Sequence, residues 1–410
     1  MSDFPEAANG LLNRRWFLKA GVAASGATLL APAMADGPWM TYPGEPPGPY
    51  GAPSRFTQLK REQITQNPLG PAEGASCTPL QSLNGIITPN SLHFERHHSG
   101  IPDIDPEQHK LTVFGNVKKP LTFTSDSLKR YPLQTKTWFL ECSGNSYRNT
   151  IGEAPDMTAG EMSGLLSCAE WTGVPLHYLL DEAGADSESG WIIAEGADAS
   201  GNNRSIPMAI AQHAIIALYQ NGEPIRPAQG FPMRLFVPGC EGNISIKWLR
   251  SLKLTSQPAH TREETSKYTD LMHDGTARQF SLRMEVKSLI TSPSGKMQLP
   301  TRGIYPITGL AWSGHAAIRK VEVSADGGKS WAESELQTEP APLRPVRFRI
   351  PWHWQGQPAI LQSRATDQAG NVQPTREVAL RDQSQLVIYH FNGIQSWQVD
   401  ETGRVRNVHG

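Results

Sequence analysis

The frequency of glycine and proline limits this chain to short regular elements. It carries 37 glycines and 33 prolines among 410 residues, whereas the two together make up about 12% of an average protein. Each glycine or proline inside a helix costs about 1–3 kcal/mol relative to alanine. The composition therefore excludes a fold dominated by long helices and predicts short strands joined by many turns.

The balance of apolar and charged residues excludes several classes of protein. Hydrophobic residues make up 38% of the chain and charged residues 19%, a mixture too apolar for an intrinsically disordered protein. The formal net charge of −1 offers no electrostatic basis for binding nucleic acid. No uninterrupted apolar run reaches the roughly 18 residues of an ordinary membrane span, so we expect no such span. The length suits about two domains.

The first 35 residues have the layout of an export signal. Arg14-Arg15 precedes Phe17-Leu18-Lys19, an apolar run from Ala20 to Ala31 and the small-residue cleavage site Ala33-Met34-Ala35. This order predicts a twin-arginine signal peptide over residues 1–35 and a periplasmic mature protein. The alternative is an amphipathic N-terminal helix. Twin-arginine export carries folded proteins, so this leader is compatible with a cofactor inserted before export.

The mature chain divides into three segments of different composition. Residues 36 to about 80 are rich in proline and glycine, which excludes regular helix and central strand, and we expect them to wrap over a neighbouring surface. Residues 86–255 mix strand-like and helix-like patterns. The strand-like runs are Leu111–Phe114, Trp138–Leu140, Trp191–Ala194 and Met233–Val237, and the helix-like runs are Leu176–Ala183 and Met208–Gln212.

Residues 285–390 show β patterns alone. Ile318–Val323 alternates apolar and polar side chains, Asp326-Gly327-Gly328 supplies a hairpin turn, and Leu361–Thr366 is a further strand. Short strands separated by such turns predict an immunoglobulin-like β-sandwich. The predicted fold is α+β, with a first domain over residues 36–275 and an immunoglobulin-like domain over residues 280–395.

Four cysteines allow either disulfides or a metal ligand. Cys77, Cys142, Cys168 and Cys240 permit two disulfides with three possible connectivities in an exported protein. No Cys-x-x-Cys spacing occurs, so neither a zinc ribbon nor an attached c-type haem has support. Cys142 follows a predicted strand and precedes Gly144, and a thiol at a strand end facing a cleft is a good soft ligand. A buried structural cysteine is the alternative.

Three histidines also lie close together in the sequence. His93, His97 and His98 could bind a metal, although histidines in such a loop are more often solvated or hydrogen-bonded. The spacing alone leaves both interpretations open.

Several motifs occur in the same order as in the sulfite oxidase family of molybdenum enzymes. They are Cys142–Asn145, Glu170–Leu176, Gly230–Arg234, Val237–Gly239, Ile246–Leu249, Gly309–Gly314, Asp326–Gly328 and Asn371–Pro374. The chain resembles this family over nearly its whole mature length. The resemblance implies a sulfite-oxidase-type molybdopterin-binding catalytic domain, a C-terminal dimerisation domain and a homodimer. It also implies a molybdenum held by a pterin dithiolene, with no haem in this chain.

The resemblance assigns roles to individual residues by motif position. Cys142 would be the protein ligand of the molybdenum, and Arg96 and Tyr268 would contact an anionic sulfur substrate. A pterin phosphate needs cationic and N–H donors. The residues implied in binding the cofactor are Arg96, His98, Asn145, Asp198, Arg234, Ser245 and Lys247.

Three positions depart from the pattern of the animal enzymes. Tyr147 occupies the position of a substrate arginine, with Arg148 displaced by one residue. Glu161 falls on a pocket tryptophan and Gln229 on a pterin-contact histidine. Losing an arginine and gaining a carboxylate would weaken the binding of a small dianion. The pattern is more similar to the sulfane dehydrogenase branch, in which the substrate sulfur is attached to a carrier protein.

The resemblance therefore implies a periplasmic oxidoreductase that oxidises carrier-bound sulfane sulfur by oxygen-atom transfer. Because no haem motif is present, the electrons would pass to a separate c-type cytochrome. Three alternatives remain open. They are a dehydrogenase of free sulfite, a reductase of the same fold such as a methionine sulfoxide reductase, and a cofactor-free exported binding protein.

Overall fold

A computed structural model describes residues 7–12, 40, 43–64, 73–382 and 388–409. Most of the predicted signal peptide lies outside these residues and stays a prediction. The described helices are short, as the glycine and proline content predicts, and the longest has eight residues. They are α1 (Ser125–Leu128), α2 (Ala159–Ser163), α3 (Leu176–Ala183), α4 (Met208–Ala211), α5 (Arg262–Thr265) and α6 (Arg376–Asp382). None of these described helices is long and apolar enough to cross a membrane.

The first domain contains fifteen strands in the described part of the chain. They are β1 (Glu62–Ile64), β2 (Gly74–Cys77), β3 (Glu95–His97), β4 (Leu111–Gly115), β5 (Leu121–Phe123), β6 (Gln134–Glu141), β7 (Leu166–Pro175), β8 (Trp191–Gly196), β9 (Asn203–Pro207), β10 (Ile215–Gln220), β11 (Glu223–Pro224), β12 (Arg234–Phe236), β13 (Leu249–Thr255), β14 (Asp270–Leu271) and β15 (Ala277–Arg278). The four strand-like runs and both helix-like runs of the sequence correspond to elements of the structure, which confirms them.

The strands of the first domain form three small sheets. β1, β2 and β3 form an antiparallel sheet in that order. A second sheet has the order β11-β10-β7-β6, with β12 also paired to β10. The third has the order β5-β4-β13-β8-β9, in which β13 and β4 are parallel. β14 and β15 form a separate hairpin.

Helix α3 shows how the sequence builds this core. Leu176, Leu179, Leu180 and Ala183 are all buried, and their i, i+3, i+4, i+7 spacing puts them on one face of a helix. Gly184 follows with a φ of +64°, a left-handed conformation that glycine adopts without strain and that ends the helix. The predicted and observed bounds of this helix are the same.

The C-terminal domain is a two-sheet sandwich, as predicted. Its strands are β16 (Lys287–Ser292), β17 (Gly303–Trp312), β18 (Ile318–Ser324), β19 (Ala332–Glu333), β20 (Glu335–Leu336), β21 (Val346–Trp354), β22 (Ala359–Asp367), β23 (Ser396–Val399) and β24 (Val405–Val408). The sheets have the orders β16-β17-β21-β20 and β19-β18-β22-β23-β24. The second sheet therefore continues beyond residue 395, the predicted end of the domain, because β23 and β24 complete its edge.

Residues 7–12 pack against this sandwich. Leu11 is fully buried, the Leu12 N–H donates to the Pro351 carbonyl (3.0 Å), and the His353 N–H donates to the Gly10 carbonyl (2.8 Å). The Trp352 indole N–H donates to the Asn9 carbonyl at 2.8 Å. In the full-length chain this segment covers one edge of β21, and removal of residues 1–35 would uncover that edge.

The proline- and glycine-rich segment that follows lies on the surface of the first domain. Residues 43–60 are exposed and have no regular strand or helix. The Tyr50 hydroxyl donates to the Glu223 carboxylate at 3.0 Å and accepts from Arg226 at 2.6 Å. These contacts agree with the expected wrapping over a neighbouring surface. The exclusion of a central strand over residues 36–80 is wrong, because β2 (Gly74–Cys77) lies between β1 and β3 in its sheet.

A buried carboxylate joins the two domains beside Cys142. Glu141 is fully buried and its Oε1 lies 2.7 Å from the Lys287 Nζ of β16. Its Oε2 accepts from the Trp312 indole N–H of β17 at 2.6 Å. A charge can be buried only if it is paired and hydrogen-bonded. The sandwich therefore supplies the partners that hold the residue immediately before Cys142.

We predict that Lys287→Met strongly destabilises the protein. The substitution leaves the Glu141 carboxylate buried without its cation, and breaking a buried pair in this way costs about 3–5 kcal/mol. The matched control is Lys129→Met, because Lys129 pairs with Asp126 at the surface and an exposed pair contributes little to stability. The thermal unfolding midpoint of both variants is the measurement. Equal midpoints would contradict the role given to Lys287.

Candidate active site

Two adjoining cavities share the side chain of Cys142. The first has about 690 Å³ and the second about 920 Å³ of empty space, including the part of each that is open to solvent. Arg96, His98 and Tyr268 also line both cavities. The predicted metal ligand and the predicted substrate residues therefore meet where the two cavities join.

The loop that carries Cys142 is held by its own backbone and by Asn145. The Cys142 N–H donates to the Leu165 carbonyl, and the Asn145 N–H donates to the Cys142 carbonyl, both at 2.9 Å. The Asn145 side-chain amide donates to Glu141 at 2.9 Å and accepts from the Leu165 N–H at 3.1 Å. Asn145, predicted to bind the cofactor, is thus buried in the loop and does not line either cavity.

The environment of Cys142 favours its neutral thiol until a cation binds. Burial is the main cause that raises the pKa of this thiol, with smaller contributions of both signs from its neighbours. A bound metal ion reverses this preference because it holds a thiol ligand deprotonated. The position therefore suits a metal-bound thiolate.

The first cavity contains a cluster of buried cations. Arg234 donates to the carbonyls of Gln229 (3.0 Å) and Ser245 (2.8 Å). The Lys247 Nζ donates to the Arg96 carbonyl at 2.9 Å and lies 2.8 Å from the His97 Nδ1. Arg96, Asp198, Arg234, Ser245 and Lys247, all predicted to bind the cofactor, line this cavity.

Burying these cations costs free energy unless a bound anion pairs with them. It lowers the pKa of Arg234 to about 9, and burial together with the nearby Arg234 guanidinium lowers that of Lys247 well below its usual value. Burial and neighbouring cations also lower the pKa of His97 to about 3 and of His98 to about 4, so both imidazoles are neutral. A phosphate would supply the negative charge that this cluster lacks.

A glycine lets two parts of the first cavity approach closely. Gly230 has a φ of +109°, and a Cβ there would lie 3.0 Å from the Lys247 Cα. The preceding residue, Gln229, lines the cavity and donates to the Phe94 carbonyl at 2.8 Å. The Ser245 Oγ accepts from the Val237 N–H at 3.0 Å, which fixes the strand that carries Arg234.

Tyr268 is a buried neutral phenol at the junction of the two cavities. Its hydroxyl lies 3.3 Å from the His98 Nε2, and the Arg204 guanidinium stacks 5.0 Å from the centre of its ring. Burial raises the pKa of its hydroxyl far above the ordinary value. Tyr268 can therefore donate a hydrogen bond to a bound anion across the neutral pH range.

The structure corrects the expectation about Glu161. Its carboxylate accepts from the Thr158 N–H at 2.7 Å and pairs with Lys296 at 2.7 Å, and it does not line either cavity. Arg148 also lies outside the lining of both cavities and donates to the Glu161 carbonyl. Tyr147 does line the second cavity, but the carboxylate there belongs to Glu73. Glu161 was misplaced because its capping role in α2 decides its direction.

The three histidines predicted as a possible metal group serve different purposes. The His93 ring is buried, stacks on Phe94 and meets the edge of Trp171. His97 faces Lys247, and His98 lines both cavities. No group of three or more metal-binding side chains occurs within the described ranges. The different partners of the three rings agree with the hydrogen-bonded interpretation.

All four cysteines carry free thiols, so the disulfides that the sequence permitted are absent. Cys77, Cys168 and Cys240 are buried, and burial raises the pKa of each thiol to about 12. These three fit the interpretation as structural cysteines.

Sequence reasoning missed several residues of the two cavities. They are Glu73, Phe94, His97, Asn202, Gly242, Asn243, Trp248 and Tyr389. Two of them carried a signal: His97 through its neighbours in the histidine group, and Trp248 through the motif Ile246–Leu249. The others lie in loops or in the short 3-10 helix Gly242–Ile244 and reach the cavities only through the tertiary fold.

The C-terminal segment also reaches the Cys142 loop. The His390 N–H donates to the Ser143 carbonyl at 2.7 Å. Its ring lies 2.9 Å from Glu241 and 3.5 Å from Asp270. Burial alone would lower the pKa of His390, but the two carboxylates outweigh it and raise the pKa to about 9. His390 is therefore an imidazolium at neutral pH.

We predict that the contribution of His390 to stability depends on pH. Because its pKa is raised on folding, its stabilisation is complete below pH 6.5 and is lost as the pH rises through about 9. His390→Gln should lower the free energy of unfolding by on the order of 3 kcal/mol at pH 6, and by much less at pH 9.5. Thermal unfolding at both pH values is the measurement, with the exposed His213→Gln as control. A deficit independent of pH would refute the assignment.

Comparisons with known proteins agree with this geometry. Residues 98–263 match the model of the oxidoreductase molybdopterin binding domain, and residues 278–390 match that of the Mo-co oxidoreductase dimerisation domain. The first match includes Cys142 and the cation cluster, whereas the second corresponds to the sandwich.

Curated relatives share this core as part of longer proteins. Mitochondrial sulfite oxidase of Mus musculus is 31% identical over 324 residues, which cover 72% of this chain and 59% of that protein. Nitrate reductase [NADH] 2 of Nicotiana tabacum is 28% identical over 314 residues, which cover 67% of this chain and 34% of that protein. The chain thus spans from about a third to three fifths of these two relatives.

One solved structure contains a chain that is similar to this one over almost the full length of both. The sulfane dehydrogenase SoxCD from Paracoccus pantotrophus superposes with a TM-score of 0.88 and 42% sequence identity, covering 91% of this chain and 97% of that chain. The likeness includes both domains and the junction between them. The chain therefore belongs to the sulfite oxidase family of molybdopterin-binding oxidoreductases.

Proposed function

We propose that this chain is the molybdenum subunit of a periplasmic sulfane dehydrogenase. It would oxidise a sulfur atom held on a carrier protein and pass the electrons to a c-type cytochrome. The observation that carries the proposal is the charge of the second cavity, where Glu73 is paired with Arg96 and Tyr147 stands in place of a second arginine. The name of the similar solved structure supports the same substrate class.

The residues of the first cavity fit the molybdopterin cofactor of this family. Among the described residues, the Arg234 Nε and the side-chain oxygens of Asn202 and Asn243 are buried without a hydrogen-bond partner, although all three side chains line the cavity. Such orphaned atoms are expected where a polar ligand belongs. Arg234 and Lys247 would hold the phosphate, and Cys142 would ligate the molybdenum.

The protein contributes binding and orientation to the reaction. The bound molybdenum supplies oxygen-atom transfer to sulfur and accepts two electrons, as cofactors generally carry such chemistry. Arg96 and Tyr268 line the space beside Cys142, where they would orient the anionic end of the substrate. The neutral His98 lies beside the Tyr268 hydroxyl and fixes its direction.

The partners and the location belong to the same proposal. The sequence has no Cys-x-x-Cys-His motif, so the electrons need a separate haem protein. The match of residues 278–390 to a dimerisation domain supports a homodimer. The Arg14-Arg15 leader supports export to the periplasm as a folded protein.

Oxidation of free sulfite is the second candidate. Lys267 and Arg96 both line the second cavity, and two cations there favour an anionic substrate. The similarity to mitochondrial sulfite oxidase also supports this reaction. The two candidates share the cofactor and differ only in what enters the second cavity.

We predict that Lys247→Met reduces cofactor retention without destabilising the empty protein. The buried ammonium of the empty cavity lies among other cations, so its removal relieves repulsion, whereas the bound phosphate loses a charged donor. Pterin content after purification should fall at least about tenfold, and the unfolding temperature of cofactor-free protein should stay the same or rise. The exposed Lys253→Met in β13 is the control. Full pterin content in the Lys247 variant would contradict the assignment.

The substrate is tested by the rate of cytochrome c reduction. We expect kcat/KM with a carrier protein loaded with thiosulfate to exceed that with free sulfite by at least about tenfold. Purified protein holding about one molybdenum per chain is required for both reactions. A faster reaction with sulfite would favour the second candidate, and no reaction with either substrate would refute the dehydrogenase proposal.

A further inference from the structure

We propose that Glu73 determines the charge of the substrate that the second cavity accepts. Its carboxylate offsets one of the two cations of the cavity, so that the site favours a sulfur group with one negative charge over a free dianion. The inference deepens the proposed function and rests on it for the identity of the substrate. It assigns a specificity-determining role to a residue outside all the motifs of the sequence.

The position of Glu73 follows from strand register. β2 begins at Gly74 and is antiparallel to β3, with Gly74 opposite His97 and Ala75 opposite Arg96. Glu73 therefore lies at the end of β2 beside the end of β3. From there its carboxylate pairs with the Arg96 guanidinium, and both residues line the second cavity together with Cys142.

Glu73 is the more buried member of this pair. Its side chain is 8% exposed, whereas that of Arg96 is 30% exposed. A carboxylate in this position is removed from most of the screening by water, so its charge acts strongly on an anion that enters the cavity. Arg96 consequently presents less positive charge to a substrate than its position in the motif implies.

The charges of the second cavity match a monoanion. Among the described residues, its Lys, Arg, Asp and Glu side chains are Arg96, Lys267 and Glu73, and their formal sum is one positive charge. Its histidine, His98, is neutral because burial and Arg96 lower its pKa to about 4. Sulfite and sulfate carry two negative charges near pH 8. A sulfur group bonded to the sulfur of a carrier cysteine, such as a persulfide or an S-sulfonate, carries one.

The size of the cavity is compatible with a tethered substrate. The second cavity is open to solvent and, with its mouth, has about 920 Å³ of empty space, so a substrate larger than a sulfite ion can enter it. Ile64, Ala75, Leu165 and Ile388 line it beside the charged residues. These apolar side chains offer contacts to a peptide arm that a free inorganic anion cannot use.

The test is the affinity for sulfate, a dianion that the enzyme cannot oxidise. Calorimetric titration of the purified holoprotein at fixed ionic strength should give a Kd at least about tenfold lower for Glu73→Gln than for wild type. The KM for sulfite should fall by a similar factor with little change in kcat. Glu73→Asp, which keeps the charge, should behave like wild type.

Two further variants make the outcome decisive. Glu62→Gln removes a carboxyl group from β1 of the same sheet, where it contacts Gln81 and Thr158 rather than the second cavity, and should leave the Kd for sulfate unchanged. Lys267→Gln should raise that Kd at least about tenfold. If Glu73→Gln folds poorly, the contrast between a raised Kd for Lys267→Gln and an unchanged Kd for Glu62→Gln still tests the charge balance.

The inference fails if Glu73→Gln binds sulfate no more tightly than wild type, or if Lys267→Gln leaves the Kd unchanged. Sulfate binding does not depend on turnover, so this result is separate from the outcome for the proposed function. Absence of reaction with a loaded carrier would refute the sulfane substrate and leave the effect of Glu73 on dianion binding measurable.

Discussion

The buried contact of Glu141 with Lys287 and Trp312 is the interaction on which the site depends. It places a charge from the first domain between two strands of the sandwich, directly before Cys142. The hydrogen bond from the His390 N–H to the Ser143 carbonyl adds a second link on the other side of the thiol. The sandwich therefore supports the loop that carries Cys142 and is also a candidate dimerisation module.

The cofactor completes the electrostatics of the first domain. Arg234 and Lys247 are buried together, with carbonyls and a neutral histidine as their partners and Asp198 as a nearby carboxylate. Such a cluster is unfavourable alone, because burial of like charges costs free energy that only an anion can offset. Family membership and the physical chemistry of the cavity thus lead to the same cofactor. The Cys142 thiol at the cavity junction would supply the remaining ligand.

The secondary-structure elements that could be predicted from the sequence are those specified by residues close together in the chain. Helix α3 has its predicted ends because an apolar face and Gly184 specify them within a few residues. The cations of the first cavity were found by motif order, although their convergence needed the fold. Glu161 was misplaced because its capping contact with Thr158 is decided by local geometry that the motif does not reveal. Glu73 was missed because its contact with Arg96 follows only from the register of β2 and β3.

The central claim is that Cys142 completes a molybdenum site at the junction of the two cavities. X-ray absorption at the molybdenum edge of the purified holoprotein tests it most directly, because the method counts sulfur neighbours of the metal. The account predicts three sulfur neighbours in wild type, two from the pterin dithiolene and one from the protein, and two in Cys142→Ala. An unchanged sulfur count in the variant, or a wild-type protein without molybdenum, would contradict it.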